Sequence, residues 1–260
     1  MKLIGKTVLI TGSCSEGMGR STALRLGREG ANIILNYGTH RTGVEVQEEA
    51  GRVAAAIREL GGQAIVVEAN TTSEQDVVAL VRAAQNSFGP IDILVNNAGG
   101  DWTVRDLTEI DFDHWRKVLA AEVDATFLLL RSVLPDMRQR RWGRIIHISM
   151  DGALRLQTMA QRAPDYCLGK AVRSWMATAW GLQEFDSGIT VNCVEPGLTE
   201  HMTFEAALEA ARGDDAAWRQ RANVTCHDIA EAVAYLCSEE ARFVSGSIIR
   251  IPTDQKVLPR

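Results

Sequence analysis

The sequence predicts an α/β fold built on a doubly wound, seven-stranded parallel sheet flanked by helices. Two observations carry that reading. Apolar runs of strand length alternate with longer segments of helical period along the whole chain, which is the rhythm of βα units. The first of those runs passes straight into a glycine-rich turn, Thr11-Gly12-Ser13-Cys14-Ser15-Glu16-Gly17-Met18-Gly19, and from there into a helix. No Pro/Gly/Ser-rich linker, low-complexity tract or internal repeat interrupts the series, so residues 1–260 are expected to form a single domain.

The strands are expected at residues 7–10, 32–35, 64–67, 91–95, 144–148, 190–194 and 248–251. Each is a short run rich in Val, Ile or Leu, as befits strands buried on both faces. Helices are expected at 18–29, 44–60, 74–88, 112–139, 164–185 and 228–238, with stops supplied by Gly30, Gly61-Gly62 and Gly89-Pro90. Residues 197–224 are the least regular stretch, mixing Ala and Glu with Met202, Phe204 and Trp218. An insertion after a strand end, at the carboxyl edge of a parallel sheet, is placed to be a substrate lid.

Composition excludes several classes. A chain of 260 residues, 46% hydrophobic and 23% charged, has ample core for one large domain. A net charge of −5 argues against a nucleic-acid footprint, and the basic knot of Arg138, Arg140, Arg141 and Arg144 reads as a solvated turn between a helix and a strand. The five cysteines are odd in number and widely spaced, which argues against a disulfide framework or a zinc knuckle and for a reducing cytoplasm. Cys226-His227 has no second pair at metal spacing, so no metal is expected. The N-terminus lacks the apolar run of a signal peptide, and no eighteen consecutive apolar residues occur to span a bilayer.

Four segments carry chemistry. In the turn at 11–19, glycines let the backbone bend sharply and approach a ligand, while the free N–H groups at the helix start favour a pyrophosphate. Asp92-Ile93-Leu94-Val95-Asn96-Asn97-Ala98-Gly99 is an apolar strand ending in two amides and two small residues, with room for a flat ligand. Val191-Asn192-Cys193-Val194-Glu195-Pro196-Gly197 is another strand end followed by a rigid corner. In Tyr166-Cys167-Leu168-Gly169-Lys170 a phenol and an ammonium share one helix face, where the cation favours the phenolate and fits the phenol for proton exchange with a carbonyl or alcohol oxygen.

In this order and at these spacings, together with Gly143-Arg144-Ile145-Ile146-His147-Ile148-Ser149, the motifs resemble the short-chain dehydrogenases/reductases over essentially the whole chain. The resemblance implies a Rossmann-like sheet, a nicotinamide dinucleotide and hydride transfer to or from a carbonyl/alcohol pair. It implies Tyr166 as acid/base and Lys170 as the group that holds the nicotinamide ribose and lowers the tyrosine pKa. A serine on the substrate oxygen and an asparagine anchoring a relay water complete the family's set. For the cofactor it implies Gly12, Ser13, Gly17, Met18 and Gly19 at the pyrophosphate, and Arg41, Asn70 and Thr71 toward the adenosine end. Asn97, Ala98 and Gly99 would flank the adenosine ribose, and Pro196, Gly197 and Thr199 would back the nicotinamide. Trp102 is expected near the mouth of the pocket. Relatives commonly assemble through the two long helices, here 112–139 and 164–185, so a homotetramer or homodimer is expected.

The chain departs from the family pattern in ways that bear on mechanism. The glycine turn reads T-G-x-x-x-x-G-x-G, one residue longer than usual. Glu122 stands where the relay asparagine belongs; it can still hold a water, and its charge favours a protonated Lys170. The strand end that usually offers two serines reads Ser149-Met150-Asp151, so the second, catalytic serine is a methionine. Ser149 substitutes only if the backbone shifts beyond the strand end, and Asp151 donates only if protonated. The segment before Tyr166 is longer than the family's and carries Arg155, Gln157, Met159, Gln161 and Arg162, a polar wall. Asn70 replaces the family's adenine-binding Asp, and its side-chain oxygen can still accept that bond. No acid ends the second strand and Arg41 follows it, tipping the choice toward NADP over NAD, while Glu16 pulls the other way. The substrate is a small molecule whose identity neither the lid nor the loop before Tyr166 singles out.

Overall fold

The computed structural model describes residues 2–40, 43–155, 163–213 and 223–252. Seven strands form one parallel sheet: β1 (Thr7–Ile10), β2 (Asn32–Tyr37), β3 (Gln63–Glu68), β4 (Ile93–Asn96), β5 (Gly143–Ile148), β6 (Ile189–Pro196) and β7 (Ile248–Ile251). Their order is β3-β2-β1-β4-β5-β6-β7, so the chain winds outward one way from β1 and the other way from β4.

The alternation of strand side chains explains why nearly every strand residue is apolar. Val8, Ile10, Ile33, Leu35, Ile146 and Val194 enter one core, whereas Leu9, Ile34, Leu94, Ile145, Val191 and Cys193 enter the other. Helices α1 (Met18–Arg28) and α2 (Val44–Glu59) cover the first face, and α3 (Glu74–Phe88) covers the second. Ser73 caps α3 by accepting the Asp76 N–H at 3.3 Å.

The helix expected at 112–139 is two helices, α4 (Phe112–Leu119) and α5 (Ala125–Arg140), joined by a π turn at Ala120–Asp124. There the N–H of Ala125 reaches back five residues to the Ala120 carbonyl. Such an insertion keeps the axis running while shifting the side chains that follow, and it recurs at functional sites. Next come α6 (Pro164–Gln183), α7 (Phe204–Arg212) and α8 (Cys226–Cys237). Helix α7 falls within the stretch expected to be irregular. Thr203 caps it by accepting the Ala206 N–H at 3.2 Å, Gly213 ends it at φ +76°, and Ala207, Ala210 and Ala211 bury one face in the α1 side of the core.

The basic knot is exposed at Arg138, Arg140 and Arg141, as a solvated turn would be, but two of these arginines also serve as counter-ions and Arg144 is buried. Asp92 and Glu184 are buried carboxylates at the amino-terminal edge of the sheet and need cations. Arg140 donates to Asp92 at 2.5 Å and to the Ile91 carbonyl at 2.7 Å, and Arg138 Nε reaches Glu184 at 2.7 Å. Arg144 is itself buried, with its guanidinium 4.5 Å from the Trp142 ring centroid. All five cysteines are buried, and none forms a disulfide. Among the described residues no cluster of His, Cys, Asp and Glu is arranged to hold a metal, and no helix is long and apolar enough to cross a membrane.

His147, in the middle of the sheet, is fully buried, and its Nδ1 lies 3.0 Å from the Asn96 amide nitrogen. Burial, with the nearby Arg173 charge, lowers its pKa from 6.5 to about 3. The unfolded chain therefore binds a proton that the folded chain refuses, and stability is lost as pH falls below 6.5. Between pH 6.5 and 5 this amounts to ~2 kcal/mol. Thermal unfolding followed across that interval is expected to show the loss, and His147→Gln to flatten it.

Candidate active site

The carboxyl ends of β1, β4, β5 and β6 meet at one edge of the sheet, beside the point where the winding reverses. In doubly wound sheets this crevice is where ligands bind. The glycine turn lies in it and is built around Thr11 and Asn97. The Thr11 hydroxyl accepts the N–H groups of Asn97 and Ala98 at 3.1 and 3.0 Å, and the Asn97 amide donates to the carbonyls of Thr11 and Gly12, both at 2.9 Å.

Glycine is required at three positions of this turn. Gly12 has φ +64°, and a Cβ there would stand 3.1 Å from the Ala98 backbone. A Cβ on Gly19 would overlap the Gly12 carbonyl oxygen and lie 2.6 Å from the Asn97 amide nitrogen. Gly17 has φ +139° with open space where its side chain would be, and as N-cap of α1 it brings no side-chain acceptor to the first-turn N–H groups. Uncapped donors facing a side-chain-free gap fit a pyrophosphate. Met18 begins the helix. Ser13 does not face this gap: its side chain is fully buried, donates to the Ile10 carbonyl at 2.9 Å and accepts the Asn36 N–H at 3.2 Å, tying β1 to β2.

Tyr166 and Lys170 lie one turn apart on α6, with the ammonium 5.1 Å from the phenol ring centroid. Lys170 is buried; Nζ donates to the Ile148 carbonyl at 3.3 Å and lies 3.3 Å from Glu122 Oε2. Glu122, inside the π turn, is wholly buried. Its Oε1 accepts the Gly100 N–H at 2.8 Å, and its Oε2 also sits 2.9 Å from Arg173 Nε. Glycines make room for this carboxylate. A Cβ on Gly99 would overlap Glu122 Oε1 and stand 3.1 Å from Lys170 Nζ, and one on Gly169 would lie 2.5 Å from Glu122 Cβ.

The electrostatics correct one expectation. Burial, seconded by the Glu122 charge and opposed by Arg173, raises the Tyr166 pKa above the usual phenol value of 10.0 instead of lowering it. Burial brings the Lys170 ammonium down from 10.5 to about 8, against the pull of Glu122 and with the push of Arg173. At neutral pH the pair is thus a neutral phenol beside a cation.

Ser149 is not brought to the phenol's side. Its hydroxyl is buried, donates to the Lys170 carbonyl at 2.7 Å and lies 2.9 Å from the Ser174 hydroxyl, which itself reaches Glu195 at 2.7 Å. The strand register dictates this: Ser149 N–H bonds to the Val194 carbonyl at 2.9 Å, continuing β5 beyond its end, so no backbone shift turns the side chain over. Asp151 is no donor either, because its carboxylate accepts Arg250 Nε at 2.6 Å. Met150 is half-buried between them.

Of the remaining cofactor candidates, Asn70 has its side-chain oxygen taken twice by Thr72, from N–H at 3.1 Å and hydroxyl at 2.8 Å. That oxygen has no lone pair left for an adenine amine. Thr71 follows it, half-buried. Arg41 and the polar wall of Gln157, Met159, Gln161 and Arg162 lie outside the described residues. Pro196 accepts the Asp151 N–H at 2.8 Å, Gly197 donates to the Ile251 carbonyl at 2.9 Å, and the Thr199 hydroxyl donates to the Gly197 carbonyl at 3.0 Å, together forming the corner after β6.

Trp102 packs its ring edge-on against Tyr166, centroids 5.1 Å apart at 83°, and so forms a wall of the crevice beside the phenol. Arg173 is the residue of the site that sequence reading misses. It is among the largest fully buried side chains and sits behind Lys170. Its spacing from Lys170, less than one helical turn, is the available signal, since a buried carboxylate at 122 needs more than one cation.

Similarity to known proteins follows the same outline. The family model described as enoyl-(acyl carrier protein) reductase matches residues 12–252. Glucose 1-dehydrogenase 2 of Bacillus subtilis (strain 168) is 29% identical over 260 residues, covering 99% of this chain and 97% of that protein. The 3-oxoacyl-[acyl-carrier-protein] reductase FabG of Staphylococcus aureus (strain N315) is 30% identical over 262 residues, covering 95% and 96%. Among solved structures, a dehydrogenase/reductase from Sinorhizobium meliloti 1021 superposes with a TM-score of 0.79 at 29% identity, covering 96% of this chain and 95% of its own. A mutant short-chain dehydrogenase/reductase of Serratia marcescens does so at 0.78 and 27%, covering 97% and 98%. With a crevice, a dinucleotide-shaped glycine turn and a family model spanning nearly its whole length, the chain belongs to the short-chain dehydrogenases/reductases, NAD(P)-dependent oxidoreductases with a Rossmann-like fold.

Proposed function

We propose that the chain reduces a carbonyl to a secondary alcohol, with Tyr166 as the proton donor and Lys170 as its cationic neighbour. A bound NAD(P)H supplies the hydride. The observation that carries the reading is the pairing of a half-buried phenol with a buried ammonium beside the glycine turn, at the switch point of the sheet. Because burial and Glu122 hold Tyr166 protonated, the phenol is set to give its proton to a developing alkoxide, which favours the reductive direction. Lys170, cationic below about pH 8, presents its charge to the same region. Gly12, Gly17 and Gly19 with the α1 amino terminus would receive the pyrophosphate, Ala98 and Gly99 the adenosine ribose, and Pro196, Gly197 and Thr199 the nicotinamide side.

NADP is the preferred cofactor in this reading. No carboxylate ends β2, and Glu68, the nearest acid on β3, is paired with the Tyr37 hydroxyl at 3.2 Å. The chain acts as a single domain in the cytoplasm, a compartment suited to five buried thiols. The stretch at 197–224, of which residues 214–222 lie outside the described residues and Phe204–Arg212 form α7, serves as a lid for a small-molecule substrate. Exposed Phe127 on α5 with Leu168, Trp175 and Leu182 on α6 give a face for a homotetramer or homodimer.

A second reading, a dinucleotide-binding protein that has given up ordinary carbonyl reduction to regulate or to serve in an assembly, is favoured by one observation. The Ser149 hydroxyl at the end of β5 is turned away from the phenol, onto the Lys170 carbonyl. Nucleotide fluorescence titrated with NADPH and NADH, followed by a panel of ketones, separates the two. The first reading expects tighter NADPH binding and oxidation by at least one ketone; binding without turnover across the panel supports the second.

A further inference from the structure

Arg173 makes more contacts than pairing with Glu122 requires. A guanidinium has five N–H donors, and here five backbone carbonyls receive them. Nε donates to Glu122 at 3.0 Å, one terminal nitrogen to Asn96 at 3.3 Å and Ile148 at 3.2 Å, and the other to Ala98 and to Ala121 at 3.1 Å. The side chain therefore stitches the ends of β4 and β5 to the π turn behind Lys170.

The Glu122 carbonyl is the informative partner. The Thr126 hydroxyl donates to it at 2.8 Å and Arg173 Nε at 3.0 Å. A carbonyl oxygen has two lone pairs, so both are occupied and neither remains for a water. The Glu122 carboxylate accepts one hydrogen bond, from the Gly100 N–H to Oε1, while Oε2 has no hydrogen-bond partner and is held by charge alone, 3.3 Å from Lys170 Nζ and 2.9 Å from Arg173 Nε. Glycines at 99 and 169 keep that carboxylate in place, since any side chain there would collide with it. Glu122 is thus flanked by a guanidinium and accommodated by two glycines.

We propose that Arg173 is a positioning residue that closes the inner end of the Tyr166–Lys170 site, filling the hydrogen-bonding positions where a water chain would enter the π turn and holding Glu122 against Lys170. This rests on the reading of Tyr166 and Lys170 given above. Its consequence is that the proton Tyr166 gives to product is replaced from the crevice mouth, after product leaves, and not through the protein. The charged and titratable groups facing Lys170 are Glu122 from the π turn, Cys193 from β6, and Tyr166 and Arg173 from its own helix; burial and Arg173 favour the neutral amine, and Glu122 favours the cation.

The sequence has only five lysines, Lys2, Lys6, Lys117, Lys170 and Lys256, so their side-chain carbon resonances can be followed individually, with Lys170→Met assigning one of them. In Arg173→Met the Lys170 midpoint is expected to rise by about one unit or more, because Glu122 is left to Lys170 alone. A midpoint unmoved in a folded Arg173→Met overturns the proposal. Should that variant not fold, the neutral pair Glu122→Asn with Arg173→Met carries the test: its crystal structure is expected to show a water on the residue 122 carbonyl, and a crystal of the native protein to show none. A water on that carbonyl in the native protein, or none in the double variant, overturns it. Neither readout requires turnover. A failure of Tyr166 as acid/base therefore leaves both interpretable.

Discussion

Gly19→Ala is expected to weaken dinucleotide binding by about a hundred-fold, a loss of ~3 kcal/mol, the upper range for forcing a methyl into a packed site. The new Cβ would overlap the Gly12 carbonyl oxygen, a backbone atom that cannot rotate away, and press on the Asn97 amide that holds the turn. Either α1 retreats from β1 or the turn opens; both spoil the N–H groups offered to a pyrophosphate. Gly51, in the exposed part of α2, is the matched control, since nothing lies within 4 Å of the place its Cβ would take. Gly51→Ala should leave binding unchanged and stabilise the helix by about 0.5–1 kcal/mol. Fluorescence titration with NADPH and thermal unfolding of both variants check the contrast. Equal binding by Gly19→Ala would show that the turn does not hold the cofactor.

Much of the fold is legible in the sequence because its signals are local. Runs of Val, Ile and Leu bounded by glycine identify buried parallel strands, and β1 and β7 begin and end where the pattern says. Strand ends elsewhere differ by a residue or two, as with β2 continuing through Asn36 and Tyr37, because pairing with β3 extends the ladder past the apolar run. The π turn is not legible: a helix of either kind shows the same periodicity over 112–139, and only the packing of Glu122 against Lys170 and Arg173 distinguishes them. Helix α7 hides because its alanines and glutamates look irregular beside Met202 and Phe204, although Thr203 and Gly213 are ordinary start and stop signals.

In the site, residues whose placement depends on chain spacing are legible and those that depend on orientation are not. Tyr166 and Lys170 share a face because helices repeat every 3.6 residues, and the structure keeps them together. Ser149 turns inward because the register of β5 on β6 decides its side, which no local pattern encodes. Ser13 and Asn70 resemble ligand contacts by position in a motif, but their polar atoms serve β1–β2 and the turn before α3. Burial explains the tyrosine: removing a phenol from water, with the Glu122 charge nearby, costs the anion more than the Arg173 guanidinium returns.

Tyr166→Phe is the second change with a large expected effect, and it tests the central claim. Only the hydroxyl is removed. The edge-on contact of the ring with Trp102 and its place beside Lys170 remain, so the fold and the glycine turn should be unaffected. Loss of a positioned general acid is expected to lower the turnover number by about a thousand-fold, while the cofactor dissociation constant stays within a factor of about three. The decisive measurement is single-turnover oxidation of bound NAD(P)H by a ketone substrate, native protein against Tyr166→Phe, at saturating cofactor. A rate collapsed with binding intact is the result predicted; a rate equal to that of the native protein would contradict the assignment of Tyr166 and with it the chemistry proposed for the site.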